Sequence, residues 1–471
     1  MKVQKIDRFC LVQSGCAELV DPLEPCMLFE VLTDRVYRHL FAAQATSLIG
    51  TGVMTVALGL LAYDLAGDRA SVVLGTALGI KMAVYVLVAP LATAYTARWP
   101  RKPFLVSMDL IRAVLVLCLP WVSAVWQIYV LVAVLQTCSA AFTPTFQATI
   151  PEVLTDEAQY TRALSLSRLA YDLENLLSPL LAALLLGVIS FRGLFGFTLL
   201  GFVSSAALVA TIPLPRRLAL ATVRPKVLAG MRRYLATPRL RGMLCLSFAE
   251  AAAGSLVIVN TVIYVRDWLG GNNRDVALTT AVFGGFSMVA ALSLPRLLKR
   301  WPDRSVMLSG AVLAGLGLVF FAALASLVSV AERRWLIVAA WALIGAGYAA
   351  ILTPGGRLLK RSGNAEDRPA LFAAQFSLSH ACWLLMYPLA GWLGTLSSPA
   401  WGAALMAVIV VMAVVAGFLL WPSRDPEVLV HHHDDLPLDH AHLTSGEVAS
   451  GHVHAHPYVI DDMHPYWPSL K

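Results

Sequence analysis

Stretches of twenty or more mostly apolar residues recur along this chain, parted by short segments where charged and turn-forming residues collect. A helix needs about 20 such residues to cross the hydrocarbon core of a bilayer. The pattern predicts twelve spans, at approximately 38–62, 71–96, 103–124, 126–149, 163–189, 192–213, 242–265, 275–298, 305–328, 334–357, 369–396 and 399–421. The expected fold class is an all-α integral membrane protein. Between the sixth and seventh spans, residues 214–241 carry Arg216, Arg217, Arg224, Lys226, Arg232, Arg233, Arg239 and Arg241 and no acid. Lys and Arg resist translocation, so this linker is expected in the cytoplasm. It divides the chain into a poorly ordered cytoplasmic leader (1–35), an N-terminal six-helix half (36–213), the linker itself (214–241), a C-terminal six-helix half (242–421) and a cytoplasmic tail (422–471).

The other loops agree with that orientation. On the linker side lie Arg98, Arg101, Lys102, Arg296, Lys299, Arg300, Arg304, Arg357, Lys360, Arg361 and Arg368. The opposite side holds Arg69, Arg192, Arg266, Arg274, Arg333 and Arg334, mostly diluted by acids, so both termini are expected to be cytoplasmic. Composition supports the membrane reading. The chain is 58% hydrophobic and 14% charged, and a soluble protein of this make-up would expose large apolar patches. Its formal charge of +7 sits in loops, with eight acids and two bases in the last fifty residues, so no nucleic-acid partner is implied. The cysteines at 10, 16, 26, 118, 138, 245 and 382 show no paired spacing, which argues against a disulfide or zinc framework. Pro22 and Pro25 break the apolar content of the leader, so no cleavable signal is read there. No Walker-type loop appears, and no nucleophile, base and orienter can be assembled from the loops; neither an ATP-driven pump nor an enzyme is expected.

The halves repeat one another. Arg98–Lys102 reads RWPRK and Arg300–Arg304 reads RWPDR, each after the second span of its half. Thr143-Pro144 pairs with Thr353-Pro354, and Pro179-Leu180-Leu181-Ala182 with Pro388-Leu389-Ala390, at offsets a little over two hundred residues. Two parallel six-helix repeats are the plan of the major facilitator transporters. The chain resembles the exporter-type branch of that superfamily through the Asp109-Leu-Ile-Arg112 step and the run AFTPTFQATIPEVL at 141–154. More narrowly, residues 353–394, residues 160–182 and the histidine-rich tail are similar to those of the nickel-resistance permeases. That resemblance implies export of Ni²⁺, and of Co²⁺, across a bacterial inner membrane, with the metal as substrate, protons as coupling ion, no cofactor and no obligate protein partner. One departure stands out: Thr93 and Ala97 occupy the loop positions where the superfamily usually has a Gly and a gating Asp.

Charged groups inside spans are costly and mark the bundle interior or a wet cavity. Asp109 and Arg112, at i and i+3, can pair, and so can Arg168 and Asp172 at i and i+4, which leaves Glu174 without a local basic partner. Lys81 stands alone in the second span. Glu250 is the most isolated carboxyl, and burial disfavours its charged form, which suits a proton carrier. Asp109, Arg112, Arg168, Asp172, Glu174 and Glu250 are the candidate coupling groups. His380 is the one histidine deep inside a span, His39 lying at the edge of the first; with Glu174, Asp172 or Glu250 it could make a transient divalent-cation site, since imidazole and carboxylate suit Ni²⁺ and Co²⁺.

The tail holds nine of the eleven histidines: His431, His432, His433, His440, His442, His452, His454, His456 and His464. With little to bury, it is expected to be disordered without metal and to bind Ni²⁺, Co²⁺ or Zn²⁺ by composition rather than through one shaped site. Its expected role is to collect metal at the inward-facing mouth. Two other readings stay open: an exporter of an organic compound or metal chelate, with Trp341, Tyr348, Trp383 and Tyr387 lining a cavity, and a membrane-anchored metal sensor.

Overall fold

A computed structural model describes residues 30–96, 99–154, 156–214, 227–364, 367–396 and 398–423, and of the tail residues 425, 428–432, 443, 452–461, 463, 464, 466 and 467. The leader before Glu30 lies outside these. Twelve long helices run through the described residues: α1 (Arg35–Ala66), α2 (Ala70–Thr96), α3 (Arg101–Cys118), α4 (Val125–Val153), α5 (Glu157–Leu185), α6 (Gly193–Thr211), α7 (Pro238–Ile263), α8 (Asn273–Leu297), α9 (Asp303–Leu324), α10 (Val330–Leu352), α11 (Arg368–Leu396) and α12 (Pro399–Leu420). A short helix Val227–Ala236 precedes α7, and another, Gly355–Arg361, follows α10.

Hydropathy explains most of this order. Ten stretches are long and apolar enough to span a bilayer, one of them running through α1 and α2 together. The helix outside those ten is α5, whose Arg162, Arg168, Asp172 and Glu174 dilute its apolar content. It packs on α1 and on α8, which explains how so polar a span is sheltered from lipid. In contrast α12 presents Val408, Val411, Met412, Val415 and Phe418 outward, each more than half exposed, as lipid permits. Caps fix several helix starts. The Asp34 carboxylate accepts from the Tyr37 amide at 2.7 Å, and Asn272 with Asp275 and Ser329 with Glu332 make capping boxes on α8 and α10. The acids that dilute arginine on the side opposite the linker are thus partly caps.

The packing repeats as the sequence does. In the first half α1 packs on α5 and α6, α2 on α4, and α3 on α6; in the second α7 packs on α11 and α12, α8 on α10, and α9 on α12. Across the halves α2 meets α11 and α5 meets α8, two contacts that exchange under the same pseudo-two-fold. The α2–α11 seam depends on glycine: a Cβ on Gly75 would fall 2.5 Å from the Tyr387 carbonyl oxygen, and one on Gly79 would fall 2.9 Å from Pro388. Small residues let helix backbones approach without a hydrophobic drive between them. That seam, and a hydrogen bond from the Tyr63 hydroxyl to Asp267 with Arg266 lying 5.0 Å over the Tyr63 ring, join the halves toward the end away from the linker. At the linker end the described ion pairs stay within one half. Arg101 reaches Glu152 at 2.6 Å in the first, and Arg357 reaches Asp303 at 2.6 Å in the second.

The tail departs from expectation. Val428–His432 (β1) and Val453–Pro457 (β2) form an antiparallel hairpin rather than a disordered segment. Its stability comes from residues that a count of histidines overlooks. Leu429, Tyr458 and Ile460 are buried together, with Ala236 and Trp467 packed against them. Burying a few large apolar side chains offsets the entropy of ordering the strands.

Candidate functional site

Two clusters carry chemistry. The first lies near the middle of the bundle. Lys81 on α2 feels the charge of Glu174 on α5, and its own charge is felt by His380 on α11. One turn along α2, Tyr85 stacks on His380 with ring centroids 5.6 Å apart, and shares a hydrogen bond with Thr143 on α4. The His380 Nδ1 donates to the Phe376 carbonyl at 2.7 Å, which assigns the proton there and makes Nε2 the lone-pair atom. Three helices from both halves therefore bring one carboxyl and one imidazole within electrostatic reach of the Lys81 ammonium. Where the sequence suggests His380 with a carboxylate, the charge described as acting on it is that of Lys81.

Asp109 and Arg112 are paired and buried. Ser205 donates to Asp109 at 2.8 Å, and the Arg112 guanidinium lies 4.4 Å from the Phe142 ring and 4.5 Å from the Phe202 ring. So enclosed, the pair ties α3 to α4 and α6. Glu250, 5% exposed, faces Cys382 and Tyr387 on α11 inside the C-terminal half, and is less isolated than its sequence neighbours imply. Of the aromatic candidates, Trp341 is fully buried against Tyr264 and Phe321 and donates to Thr261 at 2.8 Å. It is packing. Tyr348, Trp383 and Tyr387 do form a row, with centroids 6.4 and 4.8 Å apart. The side chains of Arg168 and Asp172 lie outside the described residues.

The second cluster is in the tail. The hairpin register sets His431 opposite His454, and Leu429 opposite His456. Residues two apart on a strand share a face, so His431, His454 and His456 collect on one side, and His432 turns to the other. His464 then returns from the loop after β2. Among the described residues His431, His456 and His464 form the group suited to a metal ion, with one ligand atom of each within 4.8 Å of the others. Each Nδ1 faces an oxygen: the Leu429 carbonyl at 3.0 Å for His431, the Pro457 carbonyl at 2.9 Å for His456 and the Asp461 carboxylate at 2.9 Å for His464. Asp461 also accepts from the backbone amides of Met463 and His464 at 2.9 and 2.8 Å. Burial opposes its charge, but these bonds and the nearby His464 hold its carboxyl down at about 2. Burial also presses His431 down to about 4, helped by the three neighbouring imidazoles and opposed by the Leu429 carbonyl. His433, His440 and His442 lie outside the described residues; His432 and His452 are not part of the group.

The structure thus gathers His431, His456 and His464 into a shaped cluster, an arrangement that composition alone does not suggest. The overlooked signal was the alternation of His452, His454 and His456, a strand pattern on its face. It also adds Lys81 and Tyr85 to the interior group. No local pattern could have paired them, because their partners lie on distant helices.

Comparisons with known proteins place the chain. The model of the Major Facilitator Superfamily matches residues 40–328 and 242–457. Macrolide efflux protein A of Streptococcus pyogenes is 23% identical over 268 residues, 54% of this chain and 65% of that protein, so the chain spans just under two thirds of that relative's length. An uncharacterized MFS-type transporter of Bacillus subtilis, YfiS, is 27% identical over 128 residues, 27% of this chain and 30% of that one. Among solved structures, the nucleoside transporter NupG superposes with a TM-score of 0.64 at 14% identity, covering 82% of this chain and 98% of that one. A D-xylose–proton symporter superposes with a TM-score of 0.64 at 13% identity, covering 84% and 98%. At such identities the structures speak for the fold alone. With the repeated packing of its halves and the match along most of its length, the chain belongs to the major facilitator superfamily and is a multi-pass membrane protein.

Proposed function

We propose that this transporter exports Ni²⁺ and Co²⁺ from the cytoplasm in exchange for protons. The observation that carries the metal assignment is the convergence of His431, His456 and His464 at the linker end of the bundle. Neutral imidazoles suit these ions, and a transporter of another cargo has no evident need for them. The efflux direction draws support from the macrolide efflux relative and from the sequence resemblance to nickel-resistance permeases. The halves are joined away from the linker, which matches a carrier open to the side where the tail loads it. Inside, Lys81 serves as the resident counter-charge of Glu174; the incoming divalent ion displaces it, and proton entry resets the carboxyl. The metal is the substrate, and no cofactor enters this scheme.

One observation favours a second reading. Lys81 beside Glu174, with the row Tyr348, Trp383 and Tyr387, also suits an organic compound bearing both charge and rings. Cellular nickel decides between the two. In a metal-sensitive bacterium expressing the chain, nickel content falls well below that of an empty-vector control and cobalt falls with it. Unchanged nickel, with the protein present in the membrane, overturns the metal reading in favour of the organic cargo.

A further inference from the structure

The hairpin holds more than a loose collection of ligands. His431 Nε2 and His464 Nε2 stand 3.0 Å apart, facing each other. Because each ring's Nδ1 already points at an oxygen, its proton belongs there, and both Nε2 atoms present lone pairs. With one ring protonated the contact is a hydrogen bond; with both rings neutral, the two Nε2 lone pairs converge where one cation can take the proton's place. The spacing is that of two ligands at right angles around one ion, since metal–imidazole bonds of about 2.1 Å put cis nitrogens about 3.0 Å apart. His456, assigned the same tautomer by the Pro457 carbonyl, completes three. Asp461 behind His464 is the carboxylate that orients a ligating imidazole and raises its basicity. Three nitrogens leave coordination positions open, which suits an ion that must come and go.

The cluster also touches something that moves. The Tyr458 ring lies edge-on to His431 and His464, at 4.8 and 4.7 Å, and packs on Trp467 at 5.3 Å. Trp467 in turn covers the guanidinium of Arg239 at the start of α7, at 4.8 Å. Arg239 is 1% exposed and reaches Asp425 at 3.3 Å; Asp425 also pairs with Arg361 beyond α10, and Arg361 approaches Asp303 at the start of α9. The hairpin is thus seated on the linker end of the C-terminal half, the end that must open and close in alternating access.

We propose that His431, His456 and His464 form a divalent-metal site distinct from the transport path, and that filling it fastens the hairpin to the C-terminal half through Tyr458, Trp467 and Arg239. Metal in the cytoplasm then acts on the carrier as a regulator as well as a cargo. The proposal rests on the function proposed above only for the choice of ion.

The test uses the full chain in lipid nanodiscs with NiCl₂ as the probe. Nickel binding is read by competition with a chelating dye, and order is read by hydrogen exchange. In the wild type nickel slows exchange in 428–432, 453–457 and 236–241. The variant His431→Ala/His456→Ala loses the tightest bound equivalent and all three responses, while exchange in the transmembrane helices stays as it was, showing that the bundle is folded. Asp461→Asn keeps every ligand yet weakens that equivalent by about 10- to 100-fold, the usual cost of losing such a partner. Trp467→Ala keeps the binding and the slowing in the strands but loses the response in 236–241. If the double variant binds nickel as tightly as the wild type, the metal goes elsewhere in the tail and the site is refuted. If the strands or 236–241 do not respond in the wild type, the fastening is refuted. Failure of nickel export in cells, with these binding results intact, sinks the efflux reading alone.

Discussion

Imidazoles stand in two settings, and the surroundings make them different devices. In the hairpin, Asp461 accepts from His464 Nδ1 and leaves Nε2 to a metal, with two more imidazoles beside it and no cation among the described neighbours. In the bundle, His380 leans on Tyr85 and Phe376, and the charge acting on it is that of Lys81, which in turn feels Glu174. The first arrangement adds donors without adding positive charge, so it holds an ion at rest. The second balances its own charges, so it binds an ion only by exchange. A binding tail and an exchanging core are complementary needs of a carrier that must capture a scarce cation and then release it.

Removing Glu174 is the sharpest way to break that contrast. Glu174→Gln is expected to abolish transport in reconstituted vesicles while leaving metal binding by the hairpin unchanged; retained transport would remove Glu174 from the exchange scheme. Next comes Gly75→Val, whose branched side chain has no room at the Tyr387 carbonyl. Overpacking of this kind costs about 1–3 kcal/mol. The variant should lower thermal stability and raise thiol labelling of cysteines placed at the end away from the linker. Lys81→Met leaves Glu174 without its counter-charge. We expect a loss of about 2 kcal/mol in stability, below the range for a dry buried pair because neither side chain is fully buried. The double variant Lys81→Met/Glu174→Gln should recover most of it, and a purely additive result would show that the two groups do not interact. The smallest effect belongs to the tail. Ending the chain after Asp425, so that its pairs with Arg239 and Arg361 survive, should leave the maximal nickel flux intact while raising the concentration needed for half of it.

The fold was legible because lipid acts on whole helices. Twelve apolar runs and one acid-poor linker gave the number of spans, and the proline steps at Pro179 and Pro388 gave the repeat, both lying inside the corresponding helices α5 and α11. Asp109 and Arg112 were legible as a pair because one helix turn brings them together without help from the rest of the chain. Lys81 was visible as a cost but not as a partner, since Glu174 and His380 reach it from helices far along the chain. The tail was misread for a different reason. Nine histidines drew attention to composition, whereas Leu429, Tyr458 and Ile460, with the alternation of the histidines, determine that it folds. The nearby residues Arg239 and Asp425, on separate segments, show how a loop count of charges hides a buried ion pair.

The most direct test of the central claim is Ni²⁺ movement in everted membrane vesicles, whose cytoplasmic face is outermost. With the interior made acidic, vesicles bearing the wild-type chain should accumulate Ni²⁺, lose it when the proton gradient is collapsed, and fail to accumulate it when Glu174 is Gln. Vesicles that hold the protein but take up no Ni²⁺ under either gradient, while accumulating a charged aromatic compound, would contradict the account.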